Sequence, residues 1–379
     1  MPAPAVDRRK TLGGARRVLV KVGSNALTTP QGALDGDRVA SLADQVCVLL
    51  GQGRGVIMVS SGAIAAGMGD LGLAKRPDTM PELQAAAAVG QGRLIQAYSE
   101  AFGRHARHVG QVLLSREDIE SRTRFLNTRN TLRALAAMGC VPIINENDSV
   151  SVEEIRYGDN DFLAAHLATL ILADLLVILS TVDGLYEKDA ADNSSVVPVV
   201  RAISDEVLRL DHGGKSTRGT GGMSSKLRAA ALLTRAGVPV VIANGRRPYV
   251  LPDVLAGEPL GTLFLPAPRR MASRKRWIGF TARPKGRLVV DEGARKALVE
   301  KGRSLLASGL RAVHGSFDKG DVVALAVSAD AAPFAQGLVH YSSAELAQIQ
   351  GCHTRDIASR LGYKDYDEVV HRDNLVILG

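Results

Sequence analysis

A chain of 379 residues, 46% of them hydrophobic, is long enough for two or three domains and at least one large core. No apolar run approaches the ~20 residues of a membrane span, and the three scattered cysteines, Cys47, Cys140 and Cys352, form no metal-ligand spacing and point to a reducing, cytoplasmic setting. The formal charge of +8, from 47 basic and 39 acidic residues, is uneven. Arg269, Arg270, Arg274, Lys275, Arg276, Arg283, Lys285 and Arg287 fall in one stretch without an acid among them, whereas from Leu288 onward 10 basic residues face 12 acidic ones, a net of −2.

The opening residues, 1–15, have no apolar segment behind their basic residues, and read as a disordered basic tail and not a signal peptide. Val18-Leu19-Val20-Lys21-Val22 is an apolar run with one lysine, the pattern of a strand buried on both faces of a parallel sheet. A lysine there is costly unless it reaches an anion at the strand end, which makes Lys21 a phosphate-ligand candidate. Val39 to Gly51 has helical spacing, and Val56 to Val59 is the next strand, breaking into Ser60-Ser61-Gly62-Ala63 at a helix start suited to an anion. Pro81 to Phe102 is an Ala-rich helix, Val109 to Leu114 a strand, and Ser115 to Met138 mostly helix with a break near Asn127.

Val141 to Ile144 is a strand that turns abruptly polar at Asn145-Glu146-Asn147-Asp148, and acids return at Gly158-Asp159-Asn160-Asp161 before a helical run from Phe162 to Ala173. Carboxylates and amides at the end of a parallel strand mark the ligand crevice of an open α/β sheet; the plainer alternative is two polar turns with a helix cap at Asp159 or Asp161. Leu175 to Leu179 is a strand ending in Ser180-Thr181. The loop from Gly213 to Lys226 is rich in Gly, Ser, Thr and Lys, and it leads into a helix over Ser224 to Ala236. Its Thr220-Gly221-Gly222-Met223-Ser224-Ser225-Lys226 has the glycines and helix-start lysine of a phosphate cradle without being a Walker A sequence. Val238 to Ala243 is again a strand. The alternation predicts a doubly wound, mainly parallel sheet over 16–265, a basic linker over 266–285, and a small β-rich domain over 286–379 with short strands at Leu288–Val290, Val322–Val327 and Leu338–Tyr341.

Five of these stretches, Lys21 to Ser24, Ser60 to Ala63, Ile144 to Asp148, Gly158 to Asp161 and Gly219 to Lys226, occur in the order seen in the glutamate 5-kinase family of the amino-acid kinase superfamily. The resemblance continues through Arg274 to Ile278, Val290 to Gly293 and His371 to Asp373, where the chain looks like the PUA domain of the long form. It implies an α/β/α sandwich with a PUA-like domain, and transfer of phosphate from ATP, with Mg²⁺, to the side-chain carboxylate of L-glutamate. Lys21 and Lys226 would stabilise the transferring phosphoryl group, and Asp161 would hold both lysines. Ser61, Asp148 and Asn160 would bind glutamate. Lys21, Ser180, Thr181 and the run Thr220, Gly221, Gly222, Met223, Ser224, Ser225, Lys226 would contact ATP; the family often shows Thr-Asp where this chain has Ser180-Thr181. No protein residue is expected as a metal ligand. A homo-oligomer, dimer or tetramer, and feedback by proline are also implied. A nucleic-acid contact through the PUA-like domain is the alternative from another class, and the net −2 after Leu288 argues against it as the main function.

Overall fold

The computed structural model describes residues 6–150, 160–187, 195–210, 222–267, 275 and 277–378. They form two compact units, residues 1–270 and 271–379.

The first unit is built on an eight-stranded sheet. Its strands are β1 (Arg17–Val22), β2 (Gly55–Ser60), β3 (Val109–Leu114), β4 (Val141–Glu146), β5 (Leu175–Ser180), β6 (Val199–Val200), β7 (Val240–Asn244) and β8 (Thr262–Phe264). The order across the sheet is β3-β4-β2-β1-β5-β7-β8-β6, and every pairing is parallel except β7 with β8. The helices, in chain order, are α1 (Arg8–Leu12), α2 (Gly36–Gly51), α3 (Ala63–Asp70), α4 (Met80–Gly103), α5 (Arg116–Glu120), α6 (Arg122–Ala137), α7 (Asn160–Leu170), α8 (Asp205–Arg209), α9 (Met223–Arg235) and α10 (Val250–Ala256).

The mainly parallel reading holds because β1, β4, β5 and β7 are the near-continuous apolar runs, and burial on both faces requires helices on both faces. Val18, Val20 and Val22 of β1 pack with Leu42 and Val46 of α2 and Tyr98 and Phe102 of α4 in one core. The chain winds from β1 out through β2 to β4 and β3, then crosses back to β5 and β7. The carboxyl ends of β1 and β5 therefore lie where the strand order reverses, the position at which such sheets bind ligands.

Two expectations are corrected here. Residues 6–15 are not a disordered tail: α1 is capped by Asp7, whose carboxylate accepts from Lys10 N at 3.0 Å, and buries Leu12 completely. Arg8 is buried beside it because its guanidinium donates to the carbonyls of Pro198, Gly261 and Leu260, so its charge is solvated by backbone dipoles. The helical break falls at Ser121, whose extended backbone (φ −75°, ψ 117°) separates α5 from α6, and not near Asn127.

The second unit holds a five-stranded sheet of order β10-β9-β11-β12-β13, from β9 (Gly286–Val290), β10 (Leu310–Gly315), β11 (Val322–Ala326), β12 (Ala335–Leu338) and β13 (Leu375–Ile377). It is antiparallel apart from β9 with β11, and α11 (Glu292–Val299), α12 (Ser343–Ile349) and α13 (Ile357–Leu361) complete the unit. Leu288, Val290, Val323, Leu325, Tyr341 and Leu346 share its core. Of the run expected as a strand from Leu338 to Tyr341, only Leu338 is strand. The segment expected as a basic linker is described in part. Trp277 and Ile278 are buried in a π-helical turn, and Gly279 is packed against Val376, so this stretch belongs to the core of the unit.

Candidate active site

Lys21 is the penultimate residue of β1 and is 3% exposed. Strand alternation lets its side chain emerge on the face that α7 covers, where Nζ meets Asp161 Oδ1 at 2.7 Å. Asp161, in the first turn of α7, is fully buried. Its other oxygen, Oδ2, accepts from Lys226 Nζ at 3.2 Å and from Ser225 Oγ at 2.6 Å. Lys226 and Ser225 lie in the first turn of α9, which starts at Gly222 with an extended N-cap and no side-chain cap bond. Ser225 Oγ and Lys226 Nζ also donate to Gly222 O, at 2.9 and 3.3 Å. Burial by itself would raise the Asp161 carboxyl, but the two lysines, with hydrogen bonds from Lys21 and Ser225, hold it well below the usual carboxylate range. The carboxylate stays ionised and fixes both ammonium groups.

Beside this centre lies a set of amides. Ser61 follows β2 and precedes α3, and Gly62 takes φ 109°, a conformation that lets the chain turn from strand into helix at once. Asn160 Nδ2 donates to Ser61 Oγ at 2.8 Å and to Asn145 Oδ1 at 3.1 Å. Asn145, the first residue of the polar run that follows Ile144 but not one of the expected site residues, is 2% exposed. Its Nδ2 and the Oδ1 of Asn160 are buried, and neither has a hydrogen-bond partner among the described residues. A buried donor and acceptor left open side by side carry a desolvation cost that a polar ligand would relieve. Asp148 is half-buried two residues beyond β4, and Arg76 lies within its electrostatic reach.

On the other half of the sheet, β5 ends at the half-buried Ser180, and Thr181 is exposed. Thr220 and Gly221, together with Gly158 and Asp159, lie outside the described residues. Gly222, Met223 and Ser224 are half-buried at the start of α9, and a Cβ at Gly222 would meet none of the described residues within 4 Å. Gly245 N donates to Ser180 O at 2.8 Å, and Asn244 Nδ2 to Asp183 Oδ1 at 2.9 Å. Asp183 and Asn244 thus tie the ends of β5 and β7 together, a pairing the sequence conceals because the two residues sit in separate turns.

Sequence reading placed Ser225 among the nucleotide contacts, and in the fold its hydroxyl bonds Asp161 and Gly222. The structure brings Lys21, Asp161 and Lys226 together, and Asn160 to Ser61. Among the described residues no group of three or more His, Cys, Asp or Glu could hold a metal ion, and no helix is long and apolar enough to cross a membrane.

Two lysines clamped on one carboxylate at the switch point of a parallel sheet, next to an open helix start, suit the charge of a phosphoryl group in transfer. Residues 16–244 match the amino acid kinase family and residues 286–361 the PUA domain. The chain belongs to the amino acid kinase family and is a kinase. It is 49% identical over 372 residues to glutamate 5-kinase of Syntrophotalea carbinolica, covering 98% of this chain and 99% of that protein. It is also 49% identical over 364 residues to glutamate 5-kinase of Caldanaerobacter subterraneus subsp. tengcongensis, covering 96% and 98%, and 46% identical over 374 residues to that of Syntrophus aciditrophicus, covering 98% and 97%.

Proposed function

We propose that the chain transfers the γ-phosphoryl group of ATP to the γ-carboxylate of L-glutamate, giving glutamyl 5-phosphate and ADP, the first step of proline synthesis. A carboxylate oxygen forms the new bond to phosphorus as the bond from phosphorus to the β,γ-bridging oxygen breaks. A glutamate side chain, with an ordinary pKa of about 4.3, is already ionised at neutral pH and needs no general base. What the reaction needs is relief of repulsion between two anions. The observation that carries the reading is the buried Lys21–Asp161–Lys226 centre, set between the amide set on one side and the nucleotide half on the other. Lys21 and Lys226 meet charge on the transferring group, and Asp161 keeps them from following it.

Ser61, Asn160 and Asn145 supply donors and an acceptor for glutamate, and Asp148 takes its ammonium group. Nucleotide phosphates lie against Gly222, Met223, Ser224 and the N–H groups that open α9, with Thr220 and Gly221 in the same reading. Both oxygens of Asp161 are occupied by Lys21, Lys226 and Ser225, so Mg²⁺ would enter on phosphate oxygens and water and add to the neutralisation of charge. Free Cys47, Cys140 and Cys352 support a reducing, cytoplasmic setting. Self-association and feedback by proline follow from the family resemblance, and a kinase domain ending near residue 265 from the alternation of strands and helices.

The test is acyl-phosphate trapping with hydroxylamine in the presence of ATP, Mg²⁺ and a panel of amino acids. Hydroxamate is expected with L-glutamate and little with L-aspartate. The shorter side chain holds its carboxylate away from in-line geometry, and a displacement of ~1 Å can cost about a hundredfold. Equal turnover of aspartate would refute the acceptor, and no hydroxamate at all the reaction.

A further inference from the structure

β4 runs between β2 and β3, but the two ladders end at different places. Pairing with β2 stops at Val59↔Ile144, while pairing with β3 continues to Leu114↔Glu146. Asn147 N still donates to Leu114 O of β3 at 2.9 Å. Peptide groups alternate in direction along a strand, so those of Glu146 point to the side that β2 has left. Both are met by side-chain amides. Asn145 Oδ1 accepts from Glu146 N at 2.9 Å, and Gln91 Nε2 of α4 donates to Glu146 O at 3.1 Å.

Gln91 is 9% exposed, and its own Oε1 accepts from Gln111 Nε2 of β3 at 3.1 Å, which fixes which end of the amide faces β4. Its neighbour Gly90 presses on the first turn of α3: a Cβ there would lie 1.8 Å from Ala63 O. α4 therefore grips the end of β4 and the start of α3 at once. The gap it spans is where Asn145, Asn160 and Ser61 meet.

We infer that Gln91 is a positioning residue for the amino-acid acceptor: it sets the end of β4, and with it the Asn145 amide and the turn bearing Asp148, from one layer behind the site. The inference rests on the proposed glutamate kinase reading. The bonds of Gln91 run to β3 and β4, on the acceptor half of the sheet, and not to β5, β7 or α9.

Gln91→Met keeps the length of the side chain and removes both hydrogen bonds. The KM for glutamate is expected to rise about tenfold, the factor equal to about 1.4 kcal/mol, while the KM for ATP stays within about twofold. Gln91→Glu retains the acceptor for Gln111 and loses the donor to Glu146 O, so it should reproduce the split and decides the matter if Gln91→Met does not fold. Gln111→Met, which leaves that donor in place, should shift the KM for glutamate less. Equal rises in both Michaelis constants, or an unchanged KM for glutamate in a folded Gln91 variant, would overturn the inference. No acyl phosphate from the unaltered chain would instead overturn the reading beneath it.

Discussion

Replacing Asp161 by Asn keeps the shape of the centre and removes the charge that two buried lysines share. At an effective dielectric of about 20, single charges 2.7 and 3.2 Å apart attract by about 6 and 5 kcal/mol before the cost of burial is subtracted. Removing one partner of a buried ion pair ordinarily costs about 3–5 kcal/mol net. Asp161 is fully buried, so this range applies without discount for solvent. Asp161→Asn should therefore lose about 3–5 kcal/mol in urea unfolding at pH 7.

The sign of the pH dependence follows from the lowered carboxyl. Its stabilisation is complete above the ordinary aspartate pKa of about 3.9 and is lost as pH falls through the lower folded value. The gap between the unaltered chain and the variant should thus be constant from pH 5 to 7 and narrow below about pH 4. ATP should stabilise the variant more than the unaltered chain, because its phosphates supply the anion that the mutation removed. A deficit below about 1 kcal/mol at pH 7 would refute the reasoning, since surface ion pairs are worth no more than that.

Three further outcomes are expected. Lys226→Met should lower kcat about 10²–10³-fold, and Lys21→Met added to it should cost far less than the product of the single effects, as measured by trapping kinetics. Gly90→Ala places a Cβ 1.8 Å from Ala63 O and 2.4 Å from Gly67 N, so it should destabilise by about 1–3 kcal/mol and raise the KM for glutamate, read by urea unfolding and steady-state rates. His166, fully buried in α7, has its pKa lowered to about 3 by burial and then by Arg116. Because the unfolded chain takes up that proton near pH 6.5, stability should fall by about 1.4 kcal/mol per pH unit below it, and His166→Gln should flatten this slope in urea titrations at pH 7, 6 and 5.

Much of the active centre was legible in the sequence because its parts sit where local pattern changes. Lys21 interrupts an apolar strand, Asp161 stands at the start of an apolar helical run, and Lys226 opens a helix after glycines. Such signals come from periodicity and turn chemistry, which act over a few residues, and they gave the succession of strands and helices along the chain. Which side chains touch was decided only by the fold. That the hydroxyl of Ser225 reaches Asp161 follows from the packing of α9 on α7. Asn145 was one residue of a polar run at a strand end, and the early end of the β2–β4 ladder is what leaves its amide to Asn160. Gln91 carried no signal at all, because a glutamine in an Ala-rich helix is unremarkable in composition, and its role comes from a carbonyl 55 residues away. Arg8 misled in the opposite direction: its charge suggested a solvated tail, and three backbone carbonyls brought together by distant turns made its burial possible. Local sequence sets the preference of each segment, but a hydrogen bond needs both partners, and the second partner is chosen by the path of the chain through space.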